Sequence, residues 1–201
     1  MESSRGDKGQ MRKEALNLGG SQEEKLDKAL GELGNKMLKQ GLAPKDAFGI
    51  NESYLENVYA QAYRLYNTGK YTEATHLFRI LIMLNAMEPK YMLGLAACFH
   101  MLKEYGNAIQ TYTMCSALDP HNPIPHYHTS DCFIQMKDYL SAMISLELAV
   151  KLAGDKPDYA KLKERAQLSL ESLKKQLSST PEGAEKPLTN QQFDPEQIDF
   201  L

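Results

Sequence analysis

The sequence predicts an all-α chain built as a tandem array of helix–turn–helix units. Three observations carry that reading. Three segments of 34 residues, 55–88, 89–122 and 123–156, align without gaps. Their anchors recur at fixed offsets: Tyr71, Tyr105 and Tyr139; Ala74, Ala108 and Ala142; Leu84, Leu118 and Leu152. Apolar residues inside the segments follow the helical period, as Val58, Ala62 and Leu65 do at i, i+4 and i+7. A fixed period of this length marks units that cannot bury their apolar faces alone and stack to form a continuous core.

Each element follows in order. Residues 1–22 are polar and have the composition of a disordered extension. Residues 23–42 form a candidate helix with Leu26, Leu30, Leu33 and Met37 on one face, weakened by Gly31 and Gly34. "APKDAFGIN" reads as a linker. In "LENVYAQAYRLYNTGKY" the stripe Val58, Ala62, Leu65 is the expected core face. Tyr59, Tyr63 and Tyr66 make a second stripe, rotated by one residue. Large apolar residues recur at Phe78, Tyr112 and Leu146, and at Leu65, Phe99 and Phe133; Gly69, Lys103 and Lys137 share the turn slot. Cys98, Cys115 and Cys132 are 17 residues apart, half a period, and read as small buried residues. Residues 157–177 are a capping helix, with Pro157 in the first turn and Leu162, Ala166, Leu170, Leu173 and Leu177 as its apolar face. Such a cap closes the last exposed face of a repeat array. Residues 178–201 form an acidic tail of net charge −4 that nevertheless carries Phe193, Ile198, Phe200 and Leu201.

Composition excludes several function classes. A formal net charge of −3 gives no footprint for nucleic acid. "ILIML" and "LGLAACF" are too short to span a bilayer, and the first residues lack the apolar stretch of a secretory signal. Three cysteines without a CxxC suit a reducing cytoplasm. His121, His126, His128, Asp131 and Cys132 gather near the turn between repeats two and three, where polar residues are expected. A zinc site needs four converging ligands, so no metal is predicted there. No catalytic motif appears, so neither an enzyme nor a cofactor is expected.

The period and anchors resemble the tetratricopeptide repeat. Only Pro120 fills the repeat-ending proline slot, with Ala86 and Gly154 in the other two, and Gln61 replaces a customary core leucine. The resemblance implies a curved superhelical array whose first helices line a concave face. The concave positions map to Tyr59, Tyr63 and Tyr66; to Leu93, Ala97, His100 and Met101; and to Tyr127, Asp131, Ile134 and Gln135. Two readings of the tyrosine stripe stand side by side. The rings pack under residues 23–42, or they line a groove for an extended peptide, which tyrosine suits because its ring is apolar and its hydroxyl tolerates water. The carboxylate clamp of tetratricopeptide co-chaperones would fall on Tyr59, Tyr63, Gly94, Ile124 and His128. No lysine or arginine stands at those positions and His128 is the only marginal candidate for the cation, so a C-terminal acidic peptide is not the expected ligand.

"YNTGKYTEA", "FRILIMLNAMEPKYMLGLAACFHMLKEYGNAI" and "AVKLAGDKPDYAKLKERA" make residues 23–177 similar to the SycD/LcrH-type, or class II translocator, chaperones of bacterial type III secretion. The resemblance implies a bacterial cytoplasmic protein without enzymatic activity. It implies a groove that holds a P-x-L-x-x-P type segment of a hydrophobic translocator, and contact with a gatekeeper protein as a further partner. It also implies a homodimer through the N-terminal helix, for which Leu26, Leu30, Leu33 and Met37 are the candidate face. The alternative is a tetratricopeptide adaptor for a regulatory complex of the secretion system. The family does not supply a role for the tail: it is a solubilising segment, or it docks on a partner or in the protein's own groove.

Overall fold

The computed structural model describes residues 41–179, with residues 25, 28, 29, 31, 32, 34, 35, 37 and 39 before them. All regular structure among the described residues is helical. The chain divides into two compact units, Met1–Asn51 and Glu52–Leu201. The first contains α1 (Pro44–Ala47), closed by the Ile50 N–H donating to the Lys45 carbonyl at 2.8 Å, with Gly49 at φ 67°. Leu26, Leu30 and Leu33, the 1–22 extension and residues 180–201 lie outside the described residues; Met37 is helical and half-buried.

The second unit is the repeat array. Its helices are α2 (Glu52–Asn67), α3 (Tyr71–Leu84), α4 (Pro89–Met101), α5 (Tyr105–Leu118), α6 (Ile124–Gln135), α7 (Tyr139–Ala153) and, after a 3₁₀ turn at Pro157–Tyr159, α8 (Ala160–Ser179). Each helix packs on the next. Pro89 opens α4 at its first turn, where a missing N–H costs nothing.

One turn geometry is used three times. The N–H groups of Lys70, Glu104 and Asp138 each donate to a carbonyl five residues back, on Leu65, Phe99 and Phe133, at 2.9 Å. The preceding residues, Gly69, Lys103 and Lys137, sit at φ 76°, 61° and 62°. This is the Schellman arrangement, in which a left-handed residue ends one helix and satisfies its orphan carbonyls. The residue after it is already the N-cap of the next helix, and Asp138 uses its carboxylate there to accept from the Ser141 N–H at 3.1 Å. A left-handed lysine costs about 1–2 kcal/mol; the extra backbone freedom of glycine offsets about 0.5–1 kcal/mol of that. Lys137→Gly is therefore expected to stabilise the array by about 0.5 kcal/mol, read as a higher urea midpoint at unchanged slope. An unchanged or lower midpoint contradicts the strain argument.

The core lies between layers. Ala74, Ala108 and Ala142 are all fully buried, as are Phe78, Tyr112 and Leu146. The three cysteines are free and buried. In α2 the buried positions are Leu55, Ala62 and Tyr66, whereas Val58 and Leu65 are half-buried. The inward face is thus rotated from the expected stripe and takes Ala62 from one row and Tyr66 from the other.

Two equivalent contacts set the spacing between repeats. The Phe78 ring of α3 closes on Gly94 of α4 so tightly that a methyl group at Gly94 would overlap it. One period later, Tyr112 of α5 stacks on His128 of α6, with centroids 5.7 Å apart and planes 21° from parallel. The same slot is empty in the first case and holds an imidazole in the second.

α8 runs antiparallel to α7. The Lys163 ammonium reaches the Gly154 carbonyl at 2.6 Å and the Asp155 carboxylate at 3.1 Å, while Lys174 pairs with Glu147 at 3.2 Å. Ala166 and Leu173 are buried against Ala142 and Leu146, with Leu170 packed alongside. Leu162 is half-buried, but Leu177 is 42% exposed. α8 is the longer of the two, with 20 residues against the 15 of α7, and Leu173 is its last buried residue.

Candidate functional site

The first helices of the repeats, α2, α4 and α6, present the candidate face. Tyr59 and Tyr63, one turn apart on α2, stack with centroids 6.5 Å apart and planes 17° from parallel. Both rings are half-buried. The inner edge of Tyr59 meets Phe78 at 6.1 Å and Tyr91 at 5.8 Å, so α3 and α4 fix its orientation. Lys90 lies with its ammonium 5.0 Å from the Tyr59 centroid and pairs with Glu56 at 2.6 Å. These contacts tie repeat one to repeat two next to the stacked pair. Burial, then neighbouring Tyr63 and Glu56, pushes the Tyr59 phenol up to about 12, so it stays a neutral donor.

The other expected residues divide by depth. Tyr66 is 2% exposed, with its ring edge-on to Tyr71 at 5.4 Å. Leu93, Ala97 and His100 are also buried. Met101, Tyr127, Asp131 and Ile134 are half-buried, and Tyr127 and Ile134 pack on the α7–α8 core. The partly open members are therefore Tyr59, Tyr63 and Met101 toward the first two repeats, and Tyr127, Asp131 and Ile134 in the third.

A buried aromatic–imidazole cluster lies at the centre. His100 meets Tyr105 at 5.9 Å, Tyr112 at 6.4 Å and His128 at 6.4 Å; His128 also meets Tyr127 at 5.4 Å. Burial, with His100 as a second cause, lowers the His128 pKa to about 3, and burial lowers that of His100 to about 4. Both are neutral near pH 7, so His128 supplies no cation for a carboxylate clamp. Burial raises the Asp131 carboxyl to about 7, and its oxygen lies 3.9 Å from His128 Nδ1, too far for a hydrogen bond. Among the described residues no three or more His, Cys, Asp or Glu side chains are placed to hold a metal, and no helix is long and apolar enough to cross a membrane.

Tyr91 and His128 lie buried behind this face; His128 is one of the clamp-equivalent positions, whereas Tyr91 lies outside the concave register. The 34-residue alignment holds the signal for His128, since it occupies the Gly94 slot opposite Tyr112.

Comparison with known proteins supplies the context. The tetratricopeptide-repeat family model matches residues 55–86 and 89–122. Low calcium response locus protein H of Yersinia pseudotuberculosis is 32% identical over 125 residues, covering 62% of this chain and 74% of that protein. Chaperone protein SicA of Salmonella typhimurium is 30% identical over 137 residues, covering 68% and 81%. The type III secretion chaperone SycD of Yersinia enterocolitica, solved in complex with a peptide of the translocator YopD, superposes with a TM-score of 0.62 at 30% identity, covering 64% of this chain and 98% of that one.

Proposed function

The chain belongs to the LcrH/SycD-type tetratricopeptide chaperones of type III secretion, and from that membership we propose that it binds a hydrophobic translocator through an extended segment laid on the first-helix face. The half-open Tyr59–Tyr63 stack carries this reading. Two adjacent rings, one of them fixed from behind by Phe78 and Tyr91, make a preformed apolar platform whose hydroxyls are wettable before a client arrives. Met101, Tyr127 and Ile134 continue it, and Asp131 offers a polar point for the client backbone. Held this way in the bacterial cytoplasm, the translocator keeps its apolar segments from aggregating. The role is binding, without catalysis. A homodimer through Leu26, Leu30, Leu33 and Met37 of the 23–42 segment, and a gatekeeper contact, complete the proposed partners.

The test is Tyr59→Ala with Tyr63→Ala. Burying an apolar side chain contributes about 1.5–3 kcal/mol, so losing the pair is expected to weaken client binding by about 10- to 100-fold. Calorimetric titration with a translocator segment reads the affinity, and far-UV circular dichroism with melting reads the fold. Wild-type affinity in a folded variant rejects this platform. Because Tyr59 also touches Phe78 and Tyr91, Tyr63→Ala alone separates binding from stability.

A further inference from the structure

One apolar surface belongs neither to the core nor to the candidate groove. Leu140, Ile144 and Leu148 stand four residues apart on α7, and are 70%, 67% and 37% exposed. They occupy the side of the helix opposite Ala142, Leu146 and Ala149, which are fully buried. The repeat fold does not require this stripe. The equivalent positions hold Thr72 and Gly106, then His76 and Gln110; only the third pair, Ile80 and Met114, is apolar. Two exposed cations bracket the stripe, Lys137 one turn before it and Lys151 one turn after. Glu147, the acid beside it, is paired with Lys174.

The geometry of α8 brings a matching segment to this place. The contacts of Lys163 with residues 154 and 155, and of Lys174 with Glu147, set its antiparallel register. Continued to Ser179, that register ends α8 level with Leu140. Residues 180–192 then provide a tether of roughly 40 Å, while the stripe is only about 12 Å long. The segment beyond, "FDPEQIDFL" (193–201), combines Phe193, Ile198, Phe200 and Leu201 with Asp194, Glu196 and Asp199. Its apolar residues match the aliphatic stripe and its acids match the bracketing lysines.

We propose that residues 193–201 dock in cis on the outer face of α7, with Ile198, Phe200 and Leu201 on Leu140, Ile144 and Leu148, and the three acids beside Lys137 and Lys151. The tail then shields an apolar stripe on the face away from the client platform, leaving that platform free.

Hydrogen exchange of the full chain, read by mass spectrometry, tests this. Amides of 193–201 are expected to exchange at least about tenfold more slowly than in the free nonapeptide. Ile144→Asp with Leu148→Asp, both at exposed positions, is expected to return them to the free-peptide rate at an unchanged melting temperature. High salt should move the wild type the same way, since the lysine–acid attractions are screened. In the reciprocal measurement, Phe200→Ser with Leu201→Ser shifts the Ile144 methyl resonance. Free-peptide exchange in the wild type overturns the proposal. So does protection that survives the α7 variant but is lost in Tyr63→Ala, which places the tail in the groove. Protection lost on dilution overturns it too, because the segment then sits on a second copy.

Discussion

Acidification from about pH 6.5 to about pH 4.5 is expected to lower the stability of the repeat array by about 3 kcal/mol, and His128→Phe to flatten most of that slope. Burial holds His100 and His128 neutral, with pKa values of about 4 and about 3 against 6.5 for a free imidazole. Between those values the unfolded chain binds protons that the native chain does not. The stabilisation is therefore complete above about pH 6.5 and is lost as pH falls, at about 1.4 kcal/mol per unit for each histidine. Asp131 acts in the opposite sense. Its carboxyl titrates near 7 in the native chain, so below that value the native state holds a proton that the unfolded chain has released. Its contribution grows on acidification and cancels about one histidine. The net wild-type slope is thus one proton, His128→Phe brings it near zero while keeping a ring against Tyr112, and Asp131→Asn raises it to two. Urea unfolding at a series of pH values measures all three slopes. A flat wild-type profile over this range contradicts the neutral cluster.

Gly94→Ala is expected to destabilise the array by about 1–3 kcal/mol, although alanine is the better helix former by about 1 kcal/mol. Packing decides the sign. Gly94 is buried in the middle of α4, and its missing side chain is the space taken by the Phe78 ring, itself 1% exposed. A methyl group there forces Phe78 off its seat or α3 away from α4, and the interface between repeats one and two opens. Phe78→Leu should absorb most of the penalty, so a double-mutant cycle reports the contact directly. A Gly94→Ala protein that melts at or above wild type shows that the ring moves freely, which the contact geometry denies.

The 34-residue period made the helices legible because every turn obeys the same backbone rule: Lys103 and Lys137 align with Gly69 although neither is the residue a left-handed turn prefers. The depth of individual side chains was less legible. Tyr66 was expected on the open stripe with Tyr59 and Tyr63, yet it is buried, because the inward face of α2 is centred between the two rows that periodicity separates. Leu177 has the right spacing for the cap's inner face, yet it stays exposed one turn past Leu173, the last buried residue of α8. His128 sat in plain view within a polar cluster. Its stacking on Tyr112 follows only when the Gly94 and His128 slots are compared across repeats, since local polarity alone suggests a turn.

The cysteines have a practical consequence. Cys98, Cys115 and Cys132 sit one each in α4, α5 and α6, at most 1% exposed, and burial raises all three thiols, Cys98 and Cys115 to about 12. Only a thiolate that solvent can reach reacts with an alkylating reagent. Each is therefore silent while its own layer stays closed. The order in which the three sulfurs acquire label in mild denaturant records where the array parts first, so the wild-type sequence carries its own gauge of unzipping without an engineered probe.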